Sequence, residues 1–124
     1  MTTTINDVAP IPLTVQNTGT RTPRLFYGTT EIDDELDDIF EQTTRLSSVT
    51  IDITNNAGYG VDIQFDAGTP VPLGDGGQTS HTLTMPNPGA CNSTHVFVWT
   101  GNQLHHDPII RIKRKTGGVI PTCT

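Results

Sequence analysis

Threonine set in alternating runs is the feature that most constrains this chain. It fills 22 of the 124 positions. Its β-branched side chain favours a pleated strand, and its hydroxyl and methyl suit a half-wetted sheet face. Val49, Ile51 and Ile53 alternate with Thr50, Asp52 and Thr54. Val61, Ile63 and Phe65 alternate with Asp62, Gln64 and Asp66 after a turn-rich stretch from Asn55 to Gly60. A period of two buries one face and wets the other, so the spacing predicts a β-hairpin closed by that loop. His81, Leu83 and Met85 share one face of the next run. Thr94 to Thr100 is apolar on both faces, as a central strand should be. Ile109 to Lys115 follows, with Val119 and Ile120 as a short last strand.

The period changes once. Ile32, Leu36, Ile39 and Phe40 fall at i, i+4, i+7 and i+8, with Asp33, Asp34, Glu35, Asp37, Asp38 and Glu41 around them. Thr30 and Asp33 fit a capping box. This predicts one short amphipathic helix over about residues 31–45. Residues 1–23 are polar and punctuated by Pro10, Pro12 and Pro23, which predicts an extended N-terminal arm. The expected class is mainly β: an antiparallel β-sandwich or Greek-key barrel over residues 24–124, with that helix and that arm.

Composition excludes some functions. Hydrophobic content is 33%, charged content 16% and net charge −6. Nucleic-acid binding needs clustered Lys and Arg to neutralise phosphates, so none is expected. No stretch has the ~18 apolar residues of a membrane span, and the start has no signal-peptide pattern. That predicts synthesis in the cytoplasm. Every base after residue 48 lies in Arg111, Lys113, Arg114 and Lys115. The acids Asp34, Asp37 and Asp38 are expected to meet that basic strand, within one subunit or between neighbours. The two cysteines, Cys91 and Cys123, allow one disulfide; two free thiols are the expectation for a cytosolic product.

No constellation identifies a reaction. Ser80 and His81 are consecutive on a strand and point to opposite faces, so with Asp62 they make no triad. Cys91 and His95 lack an activating context. His81, His95, His105 and His106 supply too few convergent ligands for zinc. The acids around residue 35 would radiate from a helix and could not converge on calcium. No enzymatic activity, metal or cofactor is expected.

In its Thr-rich start, proline-rich arm and compact β body, the chain resembles tailed-phage head-decoration (cement) and virion structural proteins. The resemblance implies a non-enzymatic assembly part on the virion surface, binding its own kind or the capsid shell as a homo-oligomer such as a trimer. Ile5, Val8, Ile11, Leu13 and Val15 of the arm would make those contacts. The alternative is a monomeric recognition module that binds glycan or a cell surface through Tyr59, Asp75, His105 and His106.

Overall fold

The computed structural model describes residues 2–6, 10–19, 22–40, 48–84, 91–114 and 119–120. Twelve strands run through them: β1 (Thr2–Asn6), β2 (Ile11–Asn17), β3 (Pro23–Tyr27), β4 (Thr30–Glu31), β5 (Glu35–Phe40), β6 (Ser48–Asn56), β7 (Val61–Phe65), β8 (Val71–Leu73), β9 (Gln78–Thr84), β10 (Cys91–Thr100), β11 (Gln103–His106) and β12 (Ile109–Arg114). One sheet has the order β1-β5-β12-β10-β7-β8, with β11 also pairing β10. The other has the order β4-β3-β2-β6-β9. Both are mixed, which corrects the expected antiparallel arrangement: β1–β5, β5–β12 and β2–β6 are parallel, and the remaining pairs are antiparallel. Neither sheet closes into a barrel among the described residues.

The alternating runs build the core between the sheets. Ile51, Ile53 and Val49 on β6 face Val61, Ile63, Val96 and Val98 of the opposite sheet, and all are at most 2% exposed. Leu25, Ile110 and Ile112 complete the same cluster. The outward positions of β6 and β9 form polar cross-strand pairs. Thr50 Oγ1 lies 3.2 Å from Thr82 Oγ1, and Ser80 donates to Asp52 at 2.7 Å. Threonine covers this face as its alternation foretells.

Four further expectations need correction. The first is the hairpin. The strands lie where the alternation puts them, but they do not pair. β6 pairs β2 and β9, whereas β7 pairs β10 and β8 in the other sheet. Residues 55–60 therefore carry the chain across the sandwich. Alternation specifies a buried face and is silent about which sheet a strand joins.

The helix is the second. No helix occurs among the described residues, and Glu35–Phe40 is strand β5. It is laid between β1 and β12, with six residues in register against Ile109–Arg114. Helix propensity is a weak prior that such a ladder overrides. Ile32 and Leu36 are still fully buried; strand geometry seats them in place of a helical stripe. Residues 41–45 lie outside the described residues.

The third is the separate arm. β2 lies inside a sheet, between β3 and β6. Ile11, Leu13 and Val15 are at most 1% exposed, so they are core and not a surface offered to a neighbour. Pro12 falls where β2 has only β6 beside it, so its missing N–H costs no bond on the β3 side. Ile5 lies on edge strand β1, in register with Asp38; Val8 is outside the described residues.

The fourth is the thiol state. Cys91 is disulfide-bonded, and no free cysteine occurs among the described residues. Cys123 lies outside them. The sequence context of a cytosolic product favours free thiols, but it carries no information on whether two Cβ atoms come within bonding reach.

Candidate functional site

All four histidines lie in described segments. His106 ends β11 and is 4% exposed. Its Nδ1 accepts the backbone N–H of Leu25 at 2.9 Å, and its Nε2 lies 3.0 Å from the Asp33 carbonyl. The Leu25 donor fixes the tautomer: Nδ1 bears the lone pair and Nε2–H donates. Burial pushes the His106 pKa down. Next to it, Arg24 donates to the His105 carbonyl at 3.2 Å and pairs with Glu31 at 3.5 Å. Arg24 and Glu31, with Thr18 and Thr22, line a surface hollow of about 350 Å³.

The other histidines sit apart. His81 stacks on Phe65 with ring centroids 4.6 Å apart, and its Nε2 is 4.0 Å from Asp66. His95 Nε2 is 2.7 Å from the Asp107 carbonyl, and its ring packs on Phe97 at 4.2 Å. His81 is on β9 and His95 on β10, in different sheets. Asp66 joins the regions. Its backbone is left-handed (φ 53°), and its carboxylate accepts the Thr94 hydroxyl at 2.8 Å and the His95 N–H at 2.9 Å.

The acid–base meeting takes place within the chain, on parallel strands. Lys113 donates to Asp37 at 2.9 Å, and Arg111 pairs with Glu35 at 2.6 Å. The hydrogen bond that Arg111 donates to the Glu35 carboxylate raises the Arg111 pKa. Asp37 Oδ1 is buried without a hydrogen bond; Arg111 approaches it at 4.0 Å, an ion-pair distance too long for one. Asp34 is engaged as well: its carbonyl accepts the Ile109 N–H. The side chains of Asp38 and Arg114, and all of Lys115, lie outside what is described.

The loop residues divide into two places. Asp75 accepts the Gly58 N–H at 3.0 Å, and the Tyr59 hydroxyl reaches Asn17 at 3.4 Å. Both sit around Asn55, whereas His105 and His106 belong to β11. Sequence reasoning missed Asn55, which is fully buried. Its Nδ2 faces the carbonyls of Tyr59, Leu73 and Gly74 at 2.8, 3.0 and 3.2 Å, and its Oδ1 accepts the Ala57 N–H. An asparagine opening a turn-rich stretch is the only signal that could have found it. Ser80, His81 and Asp62 are dispersed: Ser80 bonds Asp52 on the outer face, His81 turns inward, and Asp62 belongs to the other sheet.

No protein-family model and no curated protein matches the chain. Solved structures do. A multicopper oxidase from the hyperthermophile Aquifex aeolicus superposes with a TM-score of 0.52 at 17% identity, covering 90% of this chain and 28% of that one. A laccase-like multicopper oxidase from the lignin-degrading bacterium Ochrobactrum sp. gives 0.54 at 13% identity, covering 90% of this chain and 29% of that one. The chain thus spans under a third of either enzyme. These likenesses show the fold, a cupredoxin-like β-sandwich. They correct the expected virion assembly part: the neighbours are oxidase domains, not head-decoration proteins. They also overturn the expectation of no enzyme, since the solved proteins that share the sandwich are enzymes.

The two solved neighbours are copper enzymes, and the donor set of this chain tests whether it could hold the metal. A blue copper site takes two imidazole nitrogens and a cysteine thiolate, with a weak axial ligand. Here Cys91 is spent in a disulfide. Both His106 nitrogens are engaged by backbone, and His81 and His95 lie in different sheets. Among the described residues, no group of three His, Cys, Asp or Glu is placed to hold a metal ion. The described residues do not fit copper.

Proposed function

We propose that this chain serves as one cupredoxin-like domain of a laccase-type oxidase, the domain that frames the copper chemistry without supplying its ligands. One observation carries the reading. The sandwich aligns over 90% of its own length with 28% of a multicopper oxidase, the proportion of one domain in a larger enzyme. The placements of His81, His95, His106 and Cys91 support the second half: His81 and His95 pack on aromatic rings, His106 bonds sheet to sheet, and Cys91 is in a disulfide. In such an enzyme a copper-free sandwich gives rigidity and packing faces to domains that bind metal. Oxidation then belongs to the whole assembly.

The test is to isolate the natural polypeptide that contains this sequence and measure its copper content and its oxygen uptake with a phenolic substrate. The reading expects bound copper and oxygen consumption in the whole polypeptide. A natural product consisting of this chain alone, with neither copper nor oxygen uptake, would overturn it.

A further inference from the structure

A second hollow lies on the outer face of the larger sheet. It measures about 240 Å³ and is lined by Asp62, Pro70, Trp99 and Asn102. Asp62 on β7 and Trp99 on β10 are cross-strand partners, and Pro72 on β8 is the partner of Asp62 on its other side. The three therefore stand in one row across three strands. Val61, Ile63 and Val98 point to the core, which sends Asp62 and Trp99 outward.

The row is held in place. The Trp99 indole N–H donates to Gln64 at 3.0 Å, two residues beyond Asp62 on the same face. Thr100 Oγ1 approaches the Gly60 carbonyl at 3.4 Å. The turn that follows has Gly101 and Asn102 both at positive φ (57° and 64°), the pair of left-handed residues of a tight hairpin. Its two-residue length fixes Asn102 at the rim. Among the described residues, no hydrogen bond or ion pair engages the Asp62 carboxylate.

We propose that this hollow binds a small organic cation through an alkylammonium group. An indole next to a carboxylate is the pairing that suits such a group: the ring attracts the cation through its quadrupole, and the carboxylate through its charge. Proline and the indole supply apolar surface for N-methyl groups. An anion would meet Asp62 and a chain of net charge −6. The volume falls below the roughly 300–1,000 Å³ of drug-sized pockets, which suits a compact ion. The ligand is the free ion, and this assignment is independent of the oxidase reading.

Trp99 is the chain's single tryptophan, so its fluorescence reports on this site alone. Choline is titrated into the full chain at constant ionic strength, beside its neutral isostere with a tert-butyl group in place of trimethylammonium. The proposal expects a saturable change with choline, none with the isostere, and affinity about tenfold weaker in Asp62→Asn. An equal response to both compounds, no saturable response, or unchanged affinity in Asp62→Asn would overturn it. The isostere comparison uses the native protein and stands even if the variant fails to fold. A trimethyllysine peptide that binds at least about tenfold tighter than choline would overturn the assignment to a free ion.

Discussion

His106 Nδ1 accepts the Leu25 N–H across the sandwich at 2.9 Å, so one imidazole ties β11 of the larger sheet to β3 of the smaller. Protonating Nδ1 puts a proton against that N–H and breaks the tie. Burial lowers the His106 pKa and outweighs the hydrogen bond to the Asp33 carbonyl, which raises it; the Arg24 charge adds to the fall and Glu31 opposes it. The folded pKa lies below the unfolded value, so the unfolded chain takes up the proton first as pH falls. The stability this histidine confers is complete above about pH 6.5 and declines as pH falls from there toward the folded pKa. His106→Ala should cost about 2–4 kcal/mol at neutral pH, from the cavity and two unpaired backbone groups. It should also flatten the pH dependence in that window. Urea unfolding of both proteins at neutral and mildly acid pH checks this; equal pH slopes would contradict it.

Asn55 is the hub of the crossover between the sheets. Its side chain serves three carbonyls and one N–H, all within 3.2 Å, and its backbone bonds Gly76 and Gly77. Gly77 is tightly placed, since an added Cβ would lie 3.0 Å from the Gly74 carbonyl oxygen and the turn would have to give. Asn55→Leu should therefore cost about 2–4 kcal/mol, because several buried polar groups lose their partner at once. Asn55→Asp should be at least as harmful, since it sets a carboxylate against carbonyl oxygens. Thermal and urea unfolding midpoints give the comparison, and a loss below about 1 kcal/mol for Asn55→Leu would show that water replaces the side chain.

Asp37 sits between Lys113 and Arg111 and is 8% exposed. Asp37→Ala removes the carboxylate partner of Lys113, while Arg111 keeps Glu35, and should cost about 1–3 kcal/mol. Lys113→Met in that background should recover part of the loss, because it removes one unpaired charge. A double-mutant cycle by denaturant unfolding measures the coupling. Additive losses would show that the ladder contributes no pair energy.

What the sequence discloses here is burial, and what it conceals is partnership. The alternation through Val49–Ile53 and Val61–Phe65 marks two strands and their inward faces correctly, and the two-faced apolar run marks β10 as central. It cannot tell that β6 and β7 join opposite sheets, since that depends on the Asn55 crossover. The Glu35–Phe40 segment misleads for a related reason. Its spacing fits a helix, and only a ladder with β12, more than 70 residues away in sequence, makes it a strand. The acid–base pairing survives that error because opposite charges find each other in either geometry. The sites are less legible. His106 is visible as a residue but not as a buried bridge, and Trp99 reads as core although it lines an outer hollow.

Whether this sandwich holds copper is read by a copper titration of the chain, followed by metal analysis after dialysis and by visible absorption. A cupredoxin-like sandwich whose His81, His95, His106 and Cys91 are structurally committed should retain no stoichiometric copper and develop no intense visible band. One tightly held copper per chain with a strong thiolate-to-copper absorption would contradict it, and would place an intact ligand set where the structure has a disulfide and two-way bonded imidazole.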